Sequence, residues 1–249
     1  MRLLPTSLAV VAALVLFPGF AVADADALAK IVDGKCVPDE TANGKPAPCA
    51  IVDVKGGFAA LKDLVGASQF LLIATTPETG IEAPDLESTA PNYFADAWGS
   101  RQLMDQKLGR AVPRDDVSLA INSIGGRSQN RLHIHIDCLR ADVVQGLATD
   151  AAGIAAGKWS DLPGGLLGHP YRATEIDAAD LTGLNPFALV AADLPADDPK
   201  MADQTIVLAA ATLPGGHEGF YLLHDHAGAT PGDRASGEEL QDHDCSVLK

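Results

Sequence analysis

The sequence predicts an α+β fold in one domain, an antiparallel β-sheet with a few flanking helices, on three observations. Short apolar runs bounded by Gly, Pro and Asn recur along the chain, interrupted by a few helical stretches and without regular βαβ alternation. A hydrophobic content of 47% against 20% charged residues is that of a chain that fills a core. No stretch within the 249 residues reads as an internal linker.

Taken in order, residues 3–23 carry no charged side chain and follow Arg2 and the terminal amino group. The apolar run 8–17 breaks at Pro18-Gly19 and leads to Ala21-Val22-Ala23, the small-x-small pattern that signal peptidase cuts. Residues 1–23 are therefore expected to be a signal peptide or an N-terminal membrane anchor, since about 20 apolar residues also suffice to span a bilayer. Residues 24–249 form the domain. Residues 24–30 read as a short linker or helix, and 37–48, rich in Pro, Gly, Asn and charge, as a surface loop. Apolar runs at 50–54, 57–61 and 69–75 predict antiparallel strands, with Gly56-Gly57 at a tight hairpin. Phe94, Trp98, Met104 and Leu108 recur near helical spacing and predict an amphipathic helix over 92–109. Residues 116–123 and 132–138 read as a hairpin around a Gly-containing turn at 124–130. A helix at 139–156, a strand at 169–176 and a short helix at 186–192 follow. Strands at 205–213 and 219–224, joined by Pro214-Gly215-Gly216, precede a polar tail from 227.

A net charge of −15 excludes nucleic-acid binding by bulk attraction and simple adhesion to an anionic bilayer, so an anionic substrate must be met by a local positive cluster. Four cysteines in an exported chain are expected to pair. Of three connectivities the favoured one joins Cys36 to Cys49, which flank a turn-rich segment, and Cys138 to Cys245, which ties down the tail. The alternative is four reduced, buried thiols.

Residues 118–140 are the most informative stretch, because they place two histidines two apart in an alternating strand. Period two puts Arg131, His133, His135 and Asp137 on one face and Leu132, Ile134 and Ile136 on the other. A neutral imidazole attacks phosphorus and leaves again readily, so this face suits a phosphohistidine-type intermediate. Metal ligation and a purely structural role remain open for such a pair. Residues 126–130 offer turn N–H groups as a nest for phosphate, with Ser128 and Gln129 adding side-chain hydrogen bonds. Arg110, Arg114, Arg127, Arg131 and Arg140 supply positive charge in the same stretch; Arg127 and Arg131, nearest the turn and strand, are the diphosphate candidates. Ion pairing with neighbouring aspartates is the competing reading. His224-Asp225-His226 is a weaker candidate to join His133 and His135 around a metal. His169 and His217 read as loop residues, and His243 as structural, beside Cys245.

The 129–137 segment resembles the histidine-triad signature, in which a Gln precedes an alternating His strand by four residues, as Gln129 precedes His133. The resemblance makes His135 the nucleophile, with His133 and Gln129 assisting, and places Asn122 on the substrate side. Asp137 stands where the third histidine would be. More narrowly, the chain is similar to the bacterial CDP-diacylglycerol pyrophosphatase family. The matching pieces are Cys49-Ala-Ile-Val-Asp53, Phe70-Leu-Leu-Ile73, Gly80-Ile-Glu-Ala-Pro84, Pro91-Asn-Tyr-Phe94 with Ala97-Trp98, Ile121-Asn122-Ser123, Gly126-Arg-Ser-Gln129, Leu132-His-Ile-His-Ile136 with Cys138-Leu-Arg140, and Gln241-Asp-His-Asp-Cys245. That family also lacks the third histidine. Gln69 and Ala74 depart from the His and Pro expected beside the Phe70 strand.

The resemblance implies a HIT-like sheet, location at the inner membrane facing the periplasm or in the periplasm, and hydrolysis of CDP-diacylglycerol to CMP and phosphatidate at a membrane lipid surface. His135 would form a nucleotidyl-histidine, with Asn122 and Ser128 on ribose or phosphate, and no metal or organic cofactor is required. A phosphate leaving group needs little acid assistance, which offers a reason for the lost histidine. An ionised Asp137 near a diphosphate calls for a partner, with Arg131 or Arg140 the candidates. The competing functions are a metal-dependent phosphohydrolase and a non-catalytic binder of nucleotide or lipid.

Overall fold

The computed structural model describes residues 24–196 and 200–249. The expected signal peptide or anchor at 1–23 lies outside the described residues, among which no helix is long and apolar enough to cross a membrane. Alternation of apolar and polar side chains builds one sheet of ten strands. These are β1 (Ile51–Asp53), β2 (Phe58–Lys62), β3 (Phe70–Ala74), β4 (Val117–Ile121), β5 (His133–Leu139), β6 (Ser160–Asp161), β7 (Arg172–Ile176), β8 (Gln204–Leu213), β9 (His217–His226) and β10 (Gln241–Asp242). Their order is β1-β2-β3-β5-β4-β8-β9-β7-β6, and β10 pairs with the far end of β5. Every pairing between these strands is antiparallel. The predicted α+β class therefore holds as a mixed fold dominated by an antiparallel sheet.

The helices are α1 (Ala27–Ile31), α2 (Val37–Asn43), α3 (Tyr93–Ser100), α4 (Gln102–Leu108), α5 (Ala141–Asp150) and α6 (Pro186–Ala191). Three differences from the sequence reading have local causes. Residues 37–43 are helical rather than loop. Pro38 sits in the first turn with Asp39 and Glu40, and Gly44, at φ +60°, ends the helix. The predicted 92–109 helix is two, meeting at Arg101; Asn92 caps the first through Ala95 N, and Gly109 closes the second in the left-handed region. The helix foreseen over 139–156 ends at Asp150 and passes into a 3-10 turn.

The sheet has one continuous apolar face and one divided face. On the first, Leu72, Ile134, Ile136, Leu119, Leu208 and Leu222 pack against Phe94, Trp98, Met104 and Phe187 from α3, α4 and α6. Each such side chain contributes about 1.5–3 kcal/mol by leaving water. On the second face, α5 covers β4, β7, β8 and β9 through Val143 and Leu147, while Leu28, Val32 and Cys36 cover Ala59, Leu71 and Ile73 of β2 and β3. The reactive face of β5 lies between these two clusters. Both expected disulfides form, Cys36–Cys49 and Cys138–Cys245, with Cα separations of 5.6 and 5.3 Å. The second holds the tail against β5, so residues 227–249 are structured.

Candidate active site

On β5, His133, His135 and Asp137 point to the divided face, as period two requires, and are almost fully buried. A cavity of about 680 Å³ opens over the two histidines, lined also by Asn122, Ser128 and Gln129. Five of the expected site residues thus meet. The structure adds Lys62, Asp63, Gln69, Glu238 and His243, and an apolar rim of Leu28, Ile31, Leu61, Leu64 and Val65.

His135 is held at Nδ1, where the Gln69 amide lies at 2.7 Å and a Glu238 carboxylate oxygen at 3.1 Å. Its Nε2 has no hydrogen-bond partner among the described residues. Burial pulls its pKa down to about 4, so the ring is neutral at pH 7. His133 lies 5.0 Å away between ring centroids, and its Nδ1–H donates to the Arg131 carbonyl at 2.7 Å, which leaves its Nε2 unprotonated. Burial, with the neighbouring His135, lowers its pKa to about 4 as well.

Asp137 has neither Arg131 nor Arg140 as its partner. Its carboxylate accepts from Ser68 Oγ at 2.7 Å, from the Cys138 N–H at 2.9 Å and from His243 Nδ1 at 2.7 Å. Asp137 thus grips a histidine that arrives from the C-terminal tail. That hydrogen bond raises the His243 pKa above its ordinary value. His243 arrives because β10 pairs Asp242 with Cys138 and because its carbonyl accepts from Ala67 N at 2.8 Å. Gly66, at φ +71°, permits that approach; a Cβ there would stand 2.6 Å from the His243 oxygen. Glu238 is brought by the turn Gly237–Leu240, anchored where Gly237 N donates to Thr205 Oγ1 and Glu238 N to Asn122 Oδ1. Burial raises the Glu238 pKa.

Other expected residues go elsewhere. Arg127 makes a two-pronged ion pair with Glu82 at 2.5 and 2.7 Å. Arg131 binds Asp33 and the carbonyls of Thr76 and Ala74. Neither lines the cavity, because acids on neighbouring segments claim both guanidinium groups. Arg114 likewise pairs with Asp115 and Glu218, and Arg140 with Asp142. The turn N–H groups of Gly126, Arg127 and Asn130 are satisfied by Ser123 and Ala25, which removes them from the expected phosphate nest. Gln129 keeps its place at the cavity, but its amide accepts from Leu28 N and donates to the Asp24 carbonyl, pinning α1. His224 is bonded to Gln204 and Asp193, so it does not join His133 and His135 in a metal site.

Comparison with known proteins decides the family. The CDP-diacylglycerol pyrophosphatase family profile matches residues 23–249. The chain belongs to that family. It is also 47% identical over 226 residues to the CDP-diacylglycerol pyrophosphatase of Yersinia pestis, covering 90% of this chain and 86% of that protein. In this member of the CDP-diacylglycerol pyrophosphatase family, sequence reasoning passed over Glu238 and Lys62, noted Gln69 only as a departure from the expected His, and assigned His243 to structure alone. The available signal was in the Gln241-Asp-His-Asp-Cys245 segment, whose cysteine already tied it to the strand bearing Asp137.

Proposed function

We propose that this chain hydrolyses the diphosphate of CDP-diacylglycerol through a nucleotidyl-histidine on His135, at a site of histidine-triad type whose third histidine is His243. The observation that carries the reading is the meeting of three histidines at one cavity, the middle one neutral and held at Nδ1 with its Nε2 unpartnered. With Nδ1–H donating to Glu238, and the Gln69 amide turned to present its oxygen, Nε2 keeps its lone pair for phosphorus.

In the first step Nε2 bonds to the phosphorus on the cytidine side, and the bond from that phosphorus to the bridging oxygen breaks. The electron pair leaves with phosphatidate, and protonated His243, charged beside Asp137, donates a proton to the departing oxygen. Water then attacks the same phosphorus, breaks the N–P bond and releases CMP, with His243 taking the water's proton. Lys62, which lines the cavity, supplies positive charge, while Asn122 and Ser128 meet ribose or phosphate. His133, its Nδ1–H fixed on the Arg131 carbonyl, packs its ring against that of His135 with centroids 5.0 Å apart and helps hold the nucleophile in place.

The cavity's rim supports the lipid half of the substrate. Leu64 is fully exposed and Val65 more than half exposed beside it. Lys62 Nζ pins their loop by donating to the carbonyls of Asp63, Val65 and Gly66. Exposed aliphatics at the mouth of a polar site suit a headgroup drawn in while its acyl chains stay in a membrane at the periplasmic side, and the two disulfides suit an oxidising compartment. The test is to quench turnover of substrate labelled in the cytidine-side phosphate. Acid-labile label on the protein, absent from His135→Ala, is the expected result; an active His135→Ala protein would refute the nucleophile.

A further inference from the structure

We propose that His169, Asp225 and Asp233 bind a divalent transition-metal ion of the zinc or manganese class, at a site separate from the histidine cavity. His169, in the turn between Leu166 and His169, meets Asp225 at the end of strand β9 and Asp233 in the loop after it. One ligand atom from each lies within 4.8 Å of the others.

The decisive feature is a buried carboxylate that the protein itself does not satisfy. The Asp225 side chain is 1% exposed, yet neither of its oxygens accepts a hydrogen bond from any described residue. Leaving a buried carboxylate in that state is costly unless a cation meets it. Asp233 Oδ2 and His169 Nδ1 stand 2.7 Å apart as an ion pair, a contact in which a metal ion would take the place of the imidazole proton.

The surroundings prepare these groups as ligands. Asp233 is fixed by Ala235 N, which donates to its other oxygen at 2.8 Å, so Oδ2 is held in place. On the far side of the imidazole, Glu239 Oε2 lies 3.5 Å from His169 Nε2, and Tyr171 OH donates to the other Glu239 oxygen at 2.9 Å. A carboxylate there keeps the hydrogen on Nε2 and leaves Nδ1 to the metal, the arrangement that orients metal-binding histidines. Three carboxylates around one imidazole also leave negative charge that a dication offsets. One nitrogen with two carboxylate oxygens selects zinc or manganese over calcium and magnesium, which take oxygen alone. Asp225 also lines an open pocket of about 350 Å³ with Pro170 and Tyr171, through which an ion and its waters pass.

The site braces the active-site turn, because Glu239 faces it while the adjacent Glu238 faces His135. The test uses the whole chain, stripped with chelator and titrated with Co²⁺ and then Zn²⁺. One equivalent of Co²⁺ with visible d–d absorption, displaced by Zn²⁺, and a Zn²⁺-dependent rise in Tm are expected. Asp225→Asn and His169→Gln lower the affinity by at least about tenfold, whereas His226→Ala does not. X-ray absorption of the wild-type zinc form, which needs no variant to fold, shows nitrogen and oxygen neighbours with a single imidazole. No stoichiometric binding, or binding lost in His135→Ala but kept in Asp225→Asn, would overturn the site. These readouts are independent of hydrolysis and stand apart from the proposed reaction.

Discussion

Strands β5 and β9 carry nearly the same spelling, His133-Ile-His135 on one and His224-Asp-His226 on the other, and put it to opposite uses. On β5 the histidines face the gap between the two apolar clusters, and the intervening Ile134 is buried among the helices of the other face. On β9 the first histidine is packed against Trp159 and bonded to Asp193 and Gln204, while Asp225 between the histidines turns to the divided face and meets His169. The spacing is common to both; what differs is which face is left uncovered. A His-x-His pattern therefore announces chemistry only where packing leaves the histidines' own face open.

The comparison is broken most severely at its centre. His135→Ala is expected to lower kcat by at least about a thousandfold, whereas His226→Ala, on the exposed end of β9, leaves kcat unchanged; steady-state release of CMP measures both. Next in size is the link that brings the tail to β5. The Cys138–Cys245 disulfide spans 107 residues, and Cys245→Ser is expected to cost roughly 5 kcal/mol of stability on loop entropy alone. Denaturant unfolding measures that loss, and activity should fall with it because the same segment carries His243.

His243→Gln is expected to reduce kcat about a hundredfold, the usual scale of a positioned acid, with KM little changed. The pH profile sharpens this. His135 must be neutral and titrates at about 4, so activity falls as the medium is acidified toward that value. His243 must be protonated, and its pKa is raised by Asp137, so activity also falls as pH rises through that higher value. In Asp137→Asn the support is gone and the alkaline limb moves to lower pH; an unmoved limb would remove His243 from the acid role. The smallest effect is expected at the rim. Leu64→Ser should slow hydrolysis of vesicle-borne substrate about fivefold to thirtyfold, the scale of one or two kcal/mol of aliphatic contact. Detergent-dispersed substrate with short acyl chains should be unaffected.

How much of this was legible in the sequence depends on whether the determining interaction was local. Strand alternation is a property of adjacent residues, so the shared face of His133, His135 and Asp137, and the apolar partners of the opposite face, were readable directly. The pairing of Cys36 with Cys49 and Cys138 with Cys245 was readable from turn content and the need to hold a tail. The nearness of Ser128 and Gln129 to the histidines followed from a turn of ordinary length, whereas Asn122 was placed there by the histidine-triad resemblance.

Charge partners were not legible in this way, because an ion pair depends on which distant segment arrives. Arg127 and Arg131 read as diphosphate ligands until Glu82 and Asp33 proved to hold them. Asp137 read as an obstacle until the tail delivered His243 to it, 106 residues away in sequence. Glu238 and Gln69 carry no motif of their own; their closeness to His135 exists only once β3, β5 and the Gly237–Leu240 turn are assembled. The sequence by itself determined eight of the ten strands, the faces of β5 and the two histidines. Tertiary structure decided the charge of the site, since burial, proximity and hydrogen bonding set which groups are neutral, which are charged and which partner each one keeps.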